Sequence, residues 1–435
     1  MWAHLVARSA PFQVVCRAKN CAHNGGVGGG WHSGAMTVDG ATVRTARLRA
    51  QRLREPDLPD APAVVGHLLA VQGQEVRPTL HGLARRVAPP SRPDEAGAWR
   101  SLDGGAVLRT HVLRPTWHLV RPEDARWLLE LTAPRVARVM ASTEKAWGLG
   151  DPSAGIEVVA AEAAAGPRTR DELTAALVAA GAVAADAPGI AVSHVLMHAE
   201  LQRLLISGPT PDGRHTYVAF DARVPAGYGP LGGRFDHEAA VVELWRRWLP
   251  ARGHATVKDL AQWCGLTLTD LRAGLAVLVD LGEVVEVPGA DDLDGLTLVT
   301  TPAVADGPPD LASPRDDGVT PAAPSSPDAQ GARTADLLCA YDELVTSYGE
   351  TRHVLADPDA PEPGRQRAAI HTMLIDGRRA ARWRWPRRPP GPEELELQWQ
   401  RTPTPADLAA VAHATDDLRR HLTGPPHTAP DAVAG

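Results

Sequence analysis

Lysine is nearly absent from this chain: Lys19, Lys145 and Lys258 are the only three among its 45 basic residues, so arginine carries almost all the positive charge. Guanidinium forks bind phosphate and guanine edges bidentately, which suits contact with a nucleic acid. Cysteine is also scarce. Cys16, Cys21, Cys264 and Cys339 form no disulfide framework, and Cys16-x4-Cys21, with His23 and His32 nearby, has poor spacing for a zinc knuckle. A reduced, cytoplasmic compartment is expected, with nucleoid association if the nucleic acid contacted is DNA. Apolar runs are short, and none approaches the ~20 residues of a membrane span. Residues 1–35 contain Gly25-Gly-Val-Gly-Gly-Gly30 and lack the apolar core of a signal peptide. They read as a disordered extension or a mis-called start, with Met36 opening a segment that looks like an ordinary beginning.

What is present is globular. A 44% hydrophobic content over 435 residues suffices for two to four domains with buried cores. The net charge of −7 argues against an evenly basic binder, but its distribution is uneven. Met36 to Met140 holds 16 Arg against 11 Asp and Glu, a surplus of 5; Leu281 to Ala360 holds 3 Arg against 16 Asp and Glu, a deficit of 13. A positive front and an acidic rear would orient the molecule on a polyanion. An acidic solvated surface with a flexible linker would give the same count.

The chain divides by pattern into seven stretches. After residues 1–35, residues 36–150 form a first winged-helix unit. It is expected to hold helices over Val43 to Leu53, Pro62 to Val71 and Thr79 to Val87, a strand or hairpin arm over Val112 to Val120, and a helix from Pro122 to about Leu131. Residues 151–240 form a second unit, opened by the capping box Thr169-x-x-Glu172 and continued by a helix from Ile190 to Ile206 and a strand from Thr216 to Val224. Residues 241–290 form a third: a helix from Thr256 to Trp263, a turn at Gly265, a helix capped by Thr267, and a wing strand at Glu283 to Val287. Residues 291–331 read as an acidic, proline-rich linker. Residues 332–423 form a C-terminal α/β region with a helix over Thr334 to Tyr348 and a hairpin turning at Asp376-Gly377. Residues 424–435 read as a frayed tail. The predicted class is α+β, tandem winged helix-turn-helix units with a C-terminal β-containing region.

One motif stands out within this frame. The apolar helical run Val64, Leu68, Val71 breaks off at Gln72-Gly73-Gln74. Alone, the two glutamines read as a helix end with Gly73 as its stop. The flanking segments say more. Arg47-Leu-Arg-Ala-Gln-Arg-Leu53, Leu69-Ala-Val-Gln-Gly-Gln74 and Leu108-Arg-Thr-His-Val-Leu-Arg-Pro-Thr-Trp-His-Leu-Val120 resemble the AlkZ/YcaQ-type winged-helix family, which includes DNA crosslink-repair glycosylases. Leu337-Leu-Cys-Ala-Tyr-Asp-Glu343 and Leu374-Ile-Asp-Gly-Arg378 resemble its later segments. The resemblance covers most of Met36 to about Thr423, the middle units by pattern more than identity. It implies that Gln72 and Gln74 match the catalytic Gln-x-Gln of the AlkZ-like branch, where the YcaQ-like branch has Gln-x-Asp. Gly73 stands where the family usually has a larger apolar residue. Arg114-Pro-Thr-Trp-His118 matches the family's Arg-Gly-Thr-x-His, with Pro115 replacing Gly.

The chemistry fits a particular substrate. An amide is no strong base, but its carbonyl can orient water and its NH2 can donate. That suffices where the leaving group is already activated, as in a cationic N7-alkylated purine. The resemblance therefore implies a monofunctional DNA glycosylase that excises N7-alkylpurines or unhooks crosslinks in double-stranded DNA, with no cofactor and no metal. No lysine lies near the motif, so Schiff-base chemistry is not expected. Arg114, Thr116 and His118 would line the site or contact DNA. Arg170 and Lys258, near helix starts, are candidate phosphate contacts. Glu75 is expected to point elsewhere, and His67 and His81 have no assigned role. The chain is expected to act as a monomer. The alternatives are a non-catalytic winged-helix regulator and a protein-interaction module. Exposure of both glutamines in a concave basic groove would favour the enzyme; burial against apolar side chains would favour a helix end.

Overall fold

A computed structural model describes residues 37–224, 231–305, 333–359, 371–386 and 395–423. The N-terminal extension, most of the linker (306–332) and the tail from 424 lie outside the described residues. The fold is α+β, with winged-helix units in tandem and a C-terminal region built on a small antiparallel sheet.

In the first unit, α1 (Gly40–Ala50) is capped by Asp39, and α2 (Ala61–Leu68) by Asp60. The helix expected to reach Val71 stops at Leu68. Leu69 turns into the left-handed region (φ 68°), and the Leu68 carbonyl accepts from Arg252 Nη2 at 3.1 Å. Val71 and Gln72 then form a short strand, β1, paired antiparallel with β3. Val71 stays buried all the same, so its apolar spacing mimicked another helical turn. Next come α3 (Val76–Ala84), α4 (Glu95–Asp103) and the hairpin β2 (Leu108–His111) and β3 (Trp117–Val120), giving the sheet order β1-β3-β2.

The helix opened by Pro122 is longer than expected. α5 runs 26 residues, Pro122–Trp147, straight through Pro134. A proline there removes one helical hydrogen bond. Trp127, Leu128 and Leu131 before it and Val136 and Met140 after it are all buried, and that packing carries the helix onward.

The second unit is α6 (Ser153–Ala165), β4 (Arg168–Thr169), α7 (Arg170–Ala179), α8 (Gly189–Leu201), β5 (Leu205–Ser207) and β6 (Thr216–Ala219). The predicted capping box is formed: Thr169 Oγ1 accepts from Glu172 N, and the Glu172 carboxylate accepts from Thr169 N. This unit encloses its own core around Leu173, Leu177, Leu196 and Tyr217.

The third unit shares a core with the first. Helices α9 (His237–Trp248), α10 (Val257–Cys264) and α11 (Leu268–Asp280) surround Trp245, Trp248 and Trp263, which pack in one cluster with Trp127 and Leu128. Gly265 caps α10 at φ 75°, the left-handed turn between the two helices. The wing pairs β7 (Val285–Pro288) with β8 (Thr297–Thr300), so the stretch read as linker from 291 contains the second strand of the wing.

The helix expected over Thr334 to Tyr348 does not form. Ala335–Leu337 is instead strand β9, and Glu343–Thr346 is a single turn, α12. Strand β9 completes a sheet of order β12-β11-β10-β9 with β10 (Thr372–Ile375), β11 (Arg378–Trp383) and β12 (Leu397–Trp399), against which α13 (Pro405–Leu422) packs. The predicted Asp376-Gly377 turn is present, with positive φ at both residues (49° and 77°).

Carboxylates dictate the shape of this C-terminal segment. Buried Asp336 accepts from Arg54 (3.0 and 2.9 Å) and from Arg85. Buried Asp342 accepts from Arg86 Nη2 at 2.7 Å and caps α12 through Leu344 N. Burial alone would raise both carboxyl pKa values; Arg85 and Arg54 at Asp336, and Arg86 at Asp342, hold them below the ordinary value. Groups depressed in the folded state contribute stability that is complete above roughly pH 4 and is lost as pH falls through the folded pKa. Asp336→Ala, which strands two guanidinium groups, is expected to cost about 3–5 kcal/mol in a urea titration at pH 7. Asp336→Asn should also show a shallower fall in stability below pH 4 than the parent. An unchanged urea midpoint would remove Asp336 as a tie between the regions.

Candidate active site

The Gln72-Gly73-Gln74 motif lies where the first-unit sheet meets the C-terminal segment. Gln72 is opposite His118 in the β1–β3 ladder. It is 4% exposed, whereas Gln74 is half-buried, so the pair spans from the interior towards the surface. Gln72 is not packed only against apolar side chains. Its Oε1 accepts from Arg114 Nη2 at 3.0 Å, and the same Arg114 nitrogen lies 3.2 Å from His118 Nε2.

These contacts define the protonation of the cluster. Arginine can only donate, so Gln72 must turn its carbonyl towards it, and His118 Nε2 must be the accepting nitrogen. His118 Nδ1 sits 2.9 Å from the Thr116 carbonyl, an acceptor, so it carries the proton. The ring is fully enclosed. Burial first and the adjacent Arg114 second push its pKa well below the usual histidine range, which makes it neutral. Burial also lowers the Arg114 pKa, while the nearby Glu343 carboxylate opposes that effect.

The motif's backbone is held as firmly as its side chains. Gln72 N donates to Glu343 Oε1 at 3.1 Å. The other oxygen of Glu343 accepts from Trp263 Nε1 (2.7 Å), Ser347 Oγ (2.8 Å) and Arg252 Nη2 (3.3 Å). Gly73 N donates to Trp117 O at 2.8 Å, and Gly73 O accepts from Arg109 Nε at 2.9 Å. Arg109 is buried over the Trp117 ring, 4.1 Å from its centroid, and burial lowers its pKa to about 10. The missing side chain at Gly73 is replaced from across the ladder: a Cβ there would come within 3.1 Å of Leu119 Cγ and Cδ2. Glycine therefore leaves no slack in the loop, because Leu119 occupies that volume.

Glu75 is exposed and faces the C-terminal region, with its Oε2 3.0 Å from His371 Nε2. Tyr341 stands close enough that burial, with the Glu75 charge added, raises its phenol pKa. Tyr341 and His371 both hold left-handed backbone (φ 61° and 45°), an unfavourable conformation for bulky residues that tends to mark working sites. Arg114 Nε and Thr116 Oγ1 are buried without a hydrogen-bond partner among the described residues.

The other candidates are dispersed. Arg170 donates to Gly189 O (2.7 Å) and Ser193 Oγ (2.9 Å) within the second unit. Lys258 is exposed and ion-paired with Glu350. His67 lies 2.7 Å from the Ala50 carbonyl, and His81 is buried beside Trp385 and His421. Much of the arginine surplus of the first unit is engaged internally: Arg47, Arg86 and Arg109 are buried, and Arg54 and Arg85 bind Asp336. Others are exposed, among them Arg49 and Arg100, and Arg135, Arg138 and Lys145 lie together on one exposed face of α5. Arg135 starts beside the site, since its Cγ and the Leu113 carbonyl approach the same point at Gly265. Sequence reasoning missed Arg109, Glu343, Tyr341 and this stripe, although the first three fall inside the segments that carry the family resemblance.

A family model described as DNA glycosylase AlkZ-like matches residues 65–421. The chain belongs to the AlkZ-like DNA glycosylase family. The match takes in Gln72, Gln74, Arg114, His118 and Glu343. An interstrand DNA cross-link repair glycosylase of Streptomyces sahachiroi is 26% identical over 233 residues, which cover 51% of this chain and 60% of that relative. The aligned region thus spans less than two thirds of the relative's length. The solved structure of Streptomyces sahachiroi DNA glycosylase AlkZ superposes with a TM-score of 0.61 at 20% identity, covering 90% of this chain and 99% of that one. At that identity the likeness speaks for the fold, winged-helix architecture included. Among the described residues no helix is long and apolar enough to cross a membrane.

For this AlkZ-like chain the Gly73–Leu119 fit can be tested by exchanging volumes. Gly73→Val is expected to destabilise by about 1–3 kcal/mol through overpacking. Adding Leu119→Ala should recover part of that loss, so the double variant is more stable than the sum of the singles. Strict additivity in urea denaturation would show that the two positions do not share one volume.

Proposed function

We propose that this chain is a monofunctional DNA glycosylase that excises cationic N7-alkylated purines and unhooks crosslinks built on them. The observation that carries the reading is the Gln72 side-chain amide, oriented by a donor-only arginine on a strand whose backbone N–H at Gln72 donates to buried Glu343. A side chain this constrained suits recognition of one geometry.

In this reading Gln72 is held rigidly, with its NH2 group directed away from Arg114. Gln74, nearer the surface, holds water against C1′ through its carbonyl. An N7-alkylated purine carries a positive charge. When C1′–N9 breaks, the bonding electrons neutralise the departing base, and no acid is required. The sugar is left with oxocarbenium character, and the water oxygen adds to C1′. Its proton passes to bulk water, since an amide is too weak a base to keep it. Glu75 supplies negative charge beside developing positive charge. Arg114, Thr116 and His118 act as positioning residues around Gln72; the burial of His118 and the Arg114 bonds to Gln72 and His118 favour this over contact with the DNA backbone. The leaving base must leave the stack to reach such a site. The exposed Arg135, Arg138 and Lys145 stripe is the better candidate for duplex phosphates, with Arg170 and Lys258 as outlying contacts.

The direct test is release of free base from a duplex carrying N7-methylguanine. Gln74→Ala is expected to lower the single-turnover rate about 10²-fold. Titration of His118 should add no pH dependence to the rate between pH 6 and 8, because that imidazole is already neutral there. If the parent released no more base than the Gln72→Ala/Gln74→Ala double variant, the glycosylase reading would fall. Sequence-specific binding retained by that variant would then identify a regulator.

The duplex contact has its own measurement. Arg135→Ala/Arg138→Ala should weaken duplex binding and lower the salt slope of log Kd by about 2, one for each phosphate contact. An unaltered slope would move the duplex to another face.

A further inference from the structure

Where α5 ends against the second unit, two helices direct an imidazole pair and a carboxylate to one point. Glu144 lies in the last turn of α5. His194 and His198 stand one turn apart on the same face of α8. Glu144 Oε1 is 2.8 Å from His198 Nε2 and 3.5 Å from His194 Nδ1. One ligand atom from each residue lies within 4.8 Å of the other two. The imidazole rings are 4.6 Å apart and nearly perpendicular (78°), an edge-to-face pair.

The hydrogen bonding of His194 is telling. The residue is 4% exposed, and its Nδ1 has no hydrogen-bond partner. Its Nε2 lies 3.3 Å from the Gly150 carbonyl, which can only accept and therefore favours a proton on that nitrogen. The Nδ1 lone pair is then left facing a carboxylate oxygen at 3.5 Å. Two acceptors in that position repel unless a proton or a metal ion lies between them. A carbonyl that fixes the remote N–H of a histidine is also the arrangement commonly found behind metal ligands. Tetrahedral zinc with bonds near 2.0–2.1 Å sets its ligand atoms about 3.4 Å apart. The His194–Glu144 separation already meets that spacing, and a small opening of the His198–Glu144 pair would bring the third ligand into line.

We propose that Glu144, His194 and His198 bind a divalent first-row transition ion, zinc foremost, with solvent in the remaining position. Two imidazoles and a carboxylate are the donors such ions prefer. The site clamps the second winged-helix unit to the long helix of the first, so its role is architectural and separate from base excision.

The test uses the full chain, stripped with a chelator and dialysed. Zinc uptake is read against a chromophoric competitor, Co2+ binding by visible absorption, and the thermal midpoint with and without zinc. The parent should bind one equivalent more zinc than His194→Ala/His198→Ala and gain thermal stability from it. Glu144→Gln, which retains a hydrogen-bonding group and the fold, should bind at least about 10-fold more weakly. Equal zinc uptake by the parent and both variants, whether zero or one equivalent, would overturn the assignment. None of these readouts depends on glycosylase activity.

Discussion

The hydrogen bond from Gln72 N to the Glu343 carboxylate organises much of what surrounds it. Glu343 is buried, so its charge must be met on every side. Trp263, Ser347 and Arg252 meet one oxygen, and the motif backbone meets the other. Arg252 in turn accepts the burden of ending α2, through the Leu68 carbonyl. One carboxylate therefore couples the third unit, the C-terminal segment and the strand that carries Gln72. Its neighbours in sequence extend the same logic, with Asp342 on Arg86 and Asp336 on Arg54 and Arg85. Asp336 and Asp342 of the acidic rear thus take up Arg54, Arg85 and Arg86 of the arginine-rich front.

That coupling explains which elements the sequence disclosed. The capping box at Thr169, the glycine turn at Gly265 and the Asp376-Gly377 hairpin rest on local rules, and each appears where its residues predict. The end of α2 and the strand at Val71–Gln72 rest on partners far along the chain, and local periodicity misread them as one longer helix. The segment from Thr334 to Tyr348 was misread for the same reason. Its carboxylates meet remote arginines and Ala335–Leu337 pairs with β10, which leaves the single turn Glu343–Thr346 to bond along its own axis.

The candidate site was legible in part. Gln72, Gln74, Arg114 and His118 could be picked out from motif and resemblance, and Gln72, Arg114 and His118 share one hydrogen-bonded cluster. What could not be read was their burial and the division between an anchored Gln72 and a more accessible Gln74. Nor could the exchange of volume between Gly73 and Leu119, since these face each other only once the ladder exists. The arginines invited the opposite error: counted along the sequence they look like a DNA-facing surface, yet many serve as internal donors.

The separation between Gln72 and Glu343, 271 residues along the chain, also sets a schedule. A nascent chain that has produced its winged-helix units still lacks the carboxylate that seats the motif. Closing so long a loop is among the slower steps available to a folding chain. The site is therefore completed only once residue 343 has been made, and a product truncated before it would carry both glutamines without the anchor that positions them.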